Sequence, residues 1–183
     1  MKVGIVALQG AFREHREVLE ALGATTWEVR TPEHLAGADA VVLPGGESTT
    51  MGRLLDTSGL GPALGEAIDD GTPLLATCAG LILVSEGGPL ACLDCSVVRN
   101  AYGPQVASFE APLTVSGLPG GTFPGVFIRA PVVERVGAGV EVLATHGDHP
   151  VYIRSGSVRA TTFHPELADD PRLHEQFLSE VTA

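Results

Sequence analysis

Basic residues are scarce in this sequence. The chain has 11 Lys and Arg residues against 22 Asp and Glu residues, and its formal net charge is −11. A nucleic-acid backbone and an anionic lipid surface both need a basic protein surface opposite them. The sequence also lacks an apolar run long enough to span a bilayer. We therefore expect no nucleic acid and no membrane among its partners.

Cysteine is scarce as well, with three residues, Cys78, Cys92 and Cys95. The apolar start, MKVGIVALQG, is followed at once by polar residues such as Arg13 and Glu14, so it lacks the longer apolar region of a secretion signal. A small, odd number of cysteines without such a signal is typical of a reducing compartment. We expect a cytoplasmic protein.

Cys92 and Cys95 form a Cys-x-x-Cys pair, the pattern of a redox pair or of half a zinc site. A tetrahedral structural zinc needs four ligands, and the sequence has no second pair. A thioredoxin-type pair opens a helix, whereas this one leads into a strand-like segment. We interpret both residues as packing cysteines and predict no metal and no cofactor.

The sequence does contain enough apolar material for one core. It has 183 residues, of which 44% are hydrophobic, and we expect residues 1–183 to form a single domain. In the first half, strand-like runs alternate with helical patterns, which indicates βαβ units and a parallel sheet buried on both faces. The predicted strands here are residues 3–8, 25–29, 40–43 and 74–76, and the predicted helices are residues 12–22, 49–55 and 62–68.

The second half has closely spaced strand-like segments and then one helix. The strand-like segments are residues 106–115, 125–133, 140–143, 151–154 and 158–162. The helix is predicted over residues 171–181, with Asp169 or Asp170 as its cap. The predicted fold class is therefore α/β, a single-domain flavodoxin-like sheet. It should be mostly parallel, with an antiparallel extension and helices on both faces.

Three polar or glycine-containing segments follow the predicted parallel strands. They are residues 9–10, residues 44–49 and residues 77–79. In open α/β sheets, ligands bind at the carboxyl ends of the strands, so these segments should meet at one rim. We expect the functional site there.

Cys78 has the surroundings of a nucleophile. It follows a short apolar strand and precedes a second apolar segment, and small residues, Ala76 and Gly80, lie two positions to either side. Small residues at these positions are typical of a nucleophile elbow, the strained turn between a strand and a helix. A helix N-terminus also favours the thiolate, which is the reactive form. The alternative is a buried structural cysteine.

A cysteine nucleophile needs a base, and one histidine has a suitable sequence context. His164 follows a predicted strand in TTFHPEL, where Pro165 stiffens the turn and Glu166 comes next. Glu166 can hold one imidazole nitrogen and leave the other for Cys78, which is the logic of a catalytic triad. On its own, a loop histidine beside a proline is more often a solvated residue. The combination with the elbow favours catalysis.

The segment LPGGESTT at residues 43–50 is the third candidate element. Gly45 and Gly46 follow a strand and let backbone N–H groups approach a ligand, so they could supply an oxyanion hole. Glu47 and Ser48 add polar contacts, and Thr49 or Thr50 could cap the next helix. The alternative is an ordinary loop and helix cap.

In this order, the three elements resemble the class I, or triad, glutamine amidotransferases. Further segments are similar to the glutaminase subunits of pyridoxal 5'-phosphate synthases over nearly the whole chain. These segments are GIVALQGAFREH, LPGGESTTMGRLLD, ATCAGLIL, VVRNAYGPQVASFEAPL, GVFIRAP and FHPEL. Pro104 departs from that family pattern.

The resemblance implies a reaction and a set of residues. Glutamine is hydrolysed to glutamate and ammonia through a thioester on Cys78, with His164 and Glu166 completing the triad. Residues that line the glutamine site by resemblance are Gly46, Glu47, Ser48, Arg99, Ile128 and Arg129. The oxyanion hole is expected from Gly45, Gly46 and Ala79. An arginine suits a substrate carboxylate because its planar guanidinium can bind both oxygens, although a surface arginine is more often a solvated charge.

The resemblance also implies a partner. Ammonia passes to a synthase subunit that builds pyridoxal phosphate, within a large hetero-oligomeric complex. The expected docking surface includes LQGAFREH, where Arg13, Glu14 and His15 are predicted to be exposed. Two other functions remain open, a cysteine hydrolase on a similar sheet and a glutaminase subunit of a different synthase. A pseudo-enzyme that only binds a partner is disfavoured because Cys78, His164 and Glu166 are all present.

Overall fold

The computed structural model describes residues 1–99 and 108–181. Its strands are β1 Lys2–Val6, β2 Thr25–Val29, β3 Ala40–Leu43, β4 Leu74–Thr77, β5 Cys95–Val98, β6 Ser108–Leu113, β7 Phe123–Ile128, β8 Val132–Val136, β9 Glu141–His146, β10 His149–Ser155 and β11 Val158–Thr161. Its α-helices are α1 Phe12–Ala21, α2 Ser48–Thr57, α3 Leu60–Asp69, α4 Ala79–Val84 and α5 Arg172–Val181. Two short 3₁₀ helices span Pro32–Leu35 and Pro165–Leu167.

One seven-stranded sheet organises the molecule, in the order β2-β1-β3-β4-β11-β10-β9. The first five strands of this order pair in parallel, and β10 and β9 add an antiparallel edge. The predicted mostly parallel sheet with an antiparallel extension is confirmed. Strand β11 joins the parallel part beside β4, so the chain returns from the edge to the centre of the sheet before its last helix.

Apolar side chains cover both faces of this sheet, as the continuous hydrophobic strands predict. Neighbouring residues of β3 and β4 alternate between the faces: Val41 and Leu74 pack on one side, and Val42 and Leu75 on the other. Helices α2, α3 and α4 cover the first face, and α1 and α5 cover the second. The two small sheets, β5-β8 and β6-β7, lie outside the main sheet.

Most predicted elements match within two residues, but one predicted strand is wrong. Residues 125–133 form the end of β7 and the start of β8, which belong to different sheets. The break falls at Arg129, whose backbone has a positive φ of 44°, and at Pro131, which has no N–H to donate to a ladder. Pro104 and the first two residues of the predicted strand 106–115 lie outside the described residues.

The helix caps differ in part from those predicted. Helix α5 is preceded by Asp170, whose Oδ1 accepts a hydrogen bond from the Arg172 N–H at 3.0 Å, as expected for a cap. The N-cap of α2 is Glu47, and neither Thr49 nor Thr50 takes that role. The glutamate reaches further than a threonine, so its two carboxylate oxygens accept the N–H groups of both threonines.

Cys92 and Cys95 pack against the hydrophobic core, and both are free thiols. Burial raises the pKa of both, to about 11 for Cys95, so they are protonated and unreactive at neutral pH. Among the described residues, no group of three or more His, Cys, Asp or Glu side chains could hold a metal ion. No helix in the described part of the chain has the length and apolar character of a membrane span.

Candidate active site

Cys78 lies at a strained turn between β4 and α4. Its backbone has φ 48° and ψ −101°, a region that residues with a side chain rarely occupy and that costs on the order of 1–3 kcal/mol. Its N–H donates to the Thr161 carbonyl of β11 at 2.9 Å, which holds the turn against the sheet. Strain of this kind persists at functional sites because the surrounding structure fixes it. The elbow predicted from the sequence is present.

The small residues around Cys78 have a steric reason. A Cβ atom at Gly80 would lie 2.3 Å from the Leu43 carbonyl oxygen of β3, a distance that no side chain tolerates. The same Cβ would lie 3.4 Å from the Cβ of Ala76, where a larger residue would crowd the turn. The start of α4 therefore packs directly on the backbone of the neighbouring strand.

His164 and Glu166 meet as predicted. The His164 N–H donates to the Val126 carbonyl of β7 at 2.8 Å, which anchors the turn, and Pro165 opens a short 3₁₀ helix that carries Glu166. His164 Nδ1 lies 2.7 Å from Glu166 Oε1. Because the carboxylate can only accept, Nδ1 carries the proton and Nε2 is left for another partner.

Cys78 is that partner. Burial alone would lower the pKa of His164, but the hydrogen bonds and charges of Cys78 and Glu166 raise it to about 10. Burial likewise opposes the charge on Glu166, yet the imidazoles of His15 and His164 hold the pKa of this carboxyl below its usual value. The site therefore favours an imidazolium at His164 between the sulfur of Cys78 and the carboxylate of Glu166.

The three rim segments predicted from the sequence are in direct contact. The Ala11 N–H donates to the Gly45 carbonyl at 3.0 Å, and the Glu47 N–H donates to Gln9 Oε1 at 2.7 Å. The Gly45 N–H donates to Thr77 Oγ1 at 3.0 Å. Residues 9–11, the glycine loop and the strand end before Cys78 are thus joined by hydrogen bonds that backbone N–H groups donate to one carbonyl and two side-chain oxygens.

The glycine loop runs directly beside the catalytic candidates. A Cβ atom at Gly45 would lie 2.4 Å from His164 Cε1 and 3.2 Å from Cys78 Cβ, so the site has no space for a side chain there. The N–H of Gly45 is already bonded to Thr77, whereas those of Gly46 and Ala79 donate no hydrogen bond within the described residues. In this conformation, two of the three predicted oxyanion donors are free.

The residues expected to hold glutamine lie around this loop. Arg99 Nη1 is 3.5 Å from Ser48 Oγ and 3.4 Å from Thr49 Oγ1, at the start of α2. The Ile128 carbonyl oxygen is 3.9 Å from Cys78 Sγ, and Arg129 follows it with its positive φ. The hydrogen bonds from Thr49 and Thr50 lower the pKa of Glu47 to about 2, so this exposed carboxylate is ionised.

His15 corrects one expectation from the sequence. It was predicted to be exposed with its neighbours Arg13 and Glu14, but its side chain is fully buried behind Glu166, with Nε2 at 3.2 Å from Glu166 Oε2. His174 of α5 is also fully buried and lies against His15. The spacing of His15 four residues before the buried Leu19 is the one signal that could have placed it on the inner face of α1.

Fold and site together define a glutamine amidotransferase. A solved structure described as a glutamine amidotransferase matches 99% of this chain and 99% of its own, with a TM-score of 0.92 and 50% sequence identity. The profile of the SNO glutamine amidotransferase family matches residues 5–183, and the chain belongs to this family.

Two curated relatives carry a more specific description. The chain is 53% identical over 184 residues to a protein of Thermus thermophilus named pyridoxal 5'-phosphate synthase subunit PdxT, covering 96% of this chain and 95% of the relative. It is 51% identical over 189 residues to a protein of Deinococcus radiodurans with the same name, covering 97% and 96%.

Proposed function

We propose that this chain is the glutaminase subunit of a pyridoxal 5'-phosphate synthase. It hydrolyses L-glutamine to L-glutamate and ammonia, and the ammonia serves a synthase subunit that makes pyridoxal 5'-phosphate. The observation that carries the proposal is the strained elbow cysteine facing a histidine whose Nδ1 is bonded to a buried glutamate at 2.7 Å, in a chain 53% identical to a PdxT subunit.

The chemistry follows from the arrangement of Cys78, His164 and Glu166. The Cys78 thiolate attacks the side-chain carboxamide carbon of glutamine and forms a tetrahedral intermediate. The imidazolium of His164 gives its Nε2 proton to the departing nitrogen, ammonia leaves and a thioester remains. Neutral His164 then takes a proton from water, the hydroxide attacks the thioester carbon, and glutamate departs as the thiolate is restored. Glu166 orients the imidazole and stabilises its charged form.

The negative oxygen of each tetrahedral intermediate needs N–H donors. Ala79, the residue after Cys78, and Gly46 in the glycine loop offer N–H groups that donate no hydrogen bond within the described residues, and the N–H of Ala79 also lies at the start of α4, where the helix dipole favours negative charge. Gly45 becomes a donor only after it releases Thr77 Oγ1. In the conformation of this structure, two of the three predicted oxyanion residues therefore offer an N–H donor.

Glutamine itself carries a carboxylate and an ammonium group, which need partners of opposite charge. Arg99, whose guanidinium lies near Ser48 and Thr49, suits the carboxylate because a guanidinium binds two oxygens at once. Glu47 supplies a negative charge for the ammonium group, with Gly46 and Ser48 beside it. The Ile128 carbonyl oxygen lies 3.9 Å from Cys78 Sγ, and Ile128 and Arg129 are the other members of the proposed substrate-binding set.

The biological setting of the proposal is a hetero-oligomeric complex with the synthase subunit. Residues 1–183 act in it as one domain, since β1 and α5 contribute to the same core. The free thiols, among them the required Cys78, suit the reducing cytoplasm. The net charge of −11 disfavours nucleic acid and anionic membrane surfaces as partners.

The decisive test of this function measures whether the side-chain amide nitrogen of glutamine reaches the pyridoxal phosphate. The chain is mixed with a pyridoxal 5'-phosphate synthase subunit, its pentose and triose phosphate substrates, and glutamine labelled with ¹⁵N at the side-chain amide. We expect the label in the pyridoxal phosphate, measured by mass spectrometry. Unlabelled ammonium without glutamine is the control, because it should support synthesis in the absence of this chain. Glutamate formation without label in the product would point to a different acceptor.

His164→Asn is expected to reduce glutamine hydrolysis more than Glu166→Gln. The histidine transfers protons in both half-reactions, whereas the glutamate acts only through the histidine. In hydrolases with the same logic, losing the base costs on the order of 10- to 100-fold more than losing the orienting carboxylate. The measurement is kcat for ammonia release in the presence of the synthase subunit, with thermal melting to compare stability. A larger loss in Glu166→Gln would reverse the assigned roles.

A further inference from the structure

Two buried imidazoles form a second polar layer behind the proposed triad. His15 of α1 and His174 of α5 are both fully buried. His15 Nδ1 lies 2.9 Å from His174 Nε2, and the two rings meet edge to face at 61°. On its other side, His15 Nε2 lies 3.1 Å from Thr77 Oγ1 and 3.2 Å from Glu166 Oε2.

Both histidines of this layer are neutral at neutral pH. Burial lowers the pKa of His174 to about 3. Burial also lowers the pKa of His15, against the opposing charges of Glu166 and Glu14, and His164 lowers it further. A neutral imidazole has one N–H and one bare nitrogen, so the neighbouring groups determine which ring nitrogen carries the proton.

The carboxylate of Glu166 decides the tautomer of His15. A bare Nε2 would place its lone pair against a negatively charged oxygen, so Nε2 carries the proton. Nδ1 is then the acceptor, and His174 Nε2–H donates to it. The two N–H groups point the same way along the layer, from α5 through α1 towards the triad.

Glu166 needs this partner. Its Oε1 is bonded to His164, but Oε2 is buried and makes no well-aligned hydrogen bond within the described residues. The His15 N–H, divided between Oε2 and Thr77 Oγ1, is the polar group that faces this oxygen. A buried carboxylate oxygen without any such group would be costly, and the side chain would rotate towards a better donor.

We propose that His15 is a positioning residue for the active site, which holds Glu166 in line with His164. The inference rests on the proposed glutaminase function. It assigns one side chain of α1 to the alignment of the triad carboxylate.

A packing role alone would give a different result. If His15 only filled space, its replacement would lower the melting temperature. Activity would then fall only through a smaller fraction of folded protein. A positioning role changes the protonation of the His164–Cys78 pair as well, because a displaced carboxylate no longer favours the imidazolium. The thiolate would then form at a higher pH.

The test uses three substitutions at His15. His15→Gln keeps a donor at about the reach of Nε2, His15→Asn keeps a polar atom only near Nδ1, and His15→Leu removes both. With the synthase subunit present, we expect kcat to fall by about 10- to 100-fold in the Asn and Leu variants with KM little changed, the range seen when hydrogen-bond partners of metal ligands are replaced. The Gln variant should recover most of the loss.

The second readout is the pH dependence of Cys78 alkylation by iodoacetamide in the chain alone. We expect the alkylation profile to move to higher pH in the Asn and Leu variants and to stay near the wild type in the Gln variant. The groups that face His15 and share its titration are His174, Glu166, His164 and Glu14. Leu19→Val, on the same buried face of α1, is the control: it should lower the melting temperature and leave the profile in place.

Unchanged kcat and unchanged alkylation in His15→Asn would overturn the proposal, as would equal losses in the Asn and Gln variants. If His15→Leu does not fold, the comparison of Asn with Gln decides. A wild-type chain that releases no ammonia with the synthase subunit, but shows the shifted alkylation in His15→Asn, would refute the glutaminase function and retain the positioning role.

Discussion

Cys78→Ala is expected to abolish glutamine hydrolysis and to leave the fold and synthase binding intact. The thiolate forms the bond on which both half-reactions depend, and the loss of a triad nucleophile costs on the order of 10⁶-fold in comparable hydrolases. Alanine keeps the Cβ atom and therefore the same strained backbone, and the Cys78 N–H bond to the Thr161 carbonyl that holds the turn does not depend on the sulfur. Ammonia release, thermal melting and co-elution with the synthase subunit measure the three parts of the expectation.

The same variant also tests the interaction between Cys78 and His164. Without the sulfur, His164 loses one of the groups that raise its pKa to about 10, so that pKa should fall. An NMR titration of the imidazole in wild type and Cys78→Ala measures the change. Cys92→Ala is the matched control, because its thiol lies away from the triad and should alter neither hydrolysis nor the titration. Labelling of Cys78→Ala by an electrophilic glutamine analogue at the active site would contradict the assignment of the nucleophile.

The synthase subunit is expected to raise glutamine hydrolysis by about 100- to 1000-fold, the effect of one oxyanion donor in other enzymes. In the structure of the chain alone, the Gly45 N–H is bonded to Thr77 and its carbonyl to the Ala11 N–H. Glycine can rotate either peptide at small cost, and the loop is joined to residues 9–11 at the edge of the proposed docking surface. A partner that binds the rotated form more tightly shifts the population towards it.

This activation is measured as ammonia release by the purified chain, alone and with an excess of synthase subunit. Synthase subunit alone and the mixture with Cys78→Ala give the background rates. Equal rates with and without the partner would refute activation by the synthase subunit. The assignment of the triad would stand. A partner effect on KM alone would place the change in the substrate-binding residues and not in the oxyanion hole.

Most of the elements that position the site can be predicted from the sequence. Apolar runs mark β1, β3 and β4, the small residues around Cys78 mark the elbow, and His164-Pro165-Glu166 marks the base and its partner. These signals are local, since each depends on residues within a few positions of one another. They therefore place the rim segments correctly.

The features that the sequence did not predict depend on contacts between distant segments. Threonine is a common cap, but the longer side chain of Glu47 takes that position. His15 has the polarity of a surface residue and the spacing of a buried one, and only the carboxylate from the other end of the chain explains why an imidazole is buried there. The break at Arg129 separates two strands of different sheets, which periodicity within one strand cannot reveal.

The place of β11 in the sheet also sets the order in which reactivity arises during synthesis. Cys78 follows β4 and leaves the ribosome early, but β11, which pairs with β4 and precedes His164, is made near the end of the chain. Until that central strand is inserted, the cysteine of a nascent chain has neither its base nor the Thr161 carbonyl that holds the turn, and behaves as an ordinary thiol. Pairing between such distant strands is slow compared with local folding. The newly made protein thus cannot consume glutamine before its sheet has closed.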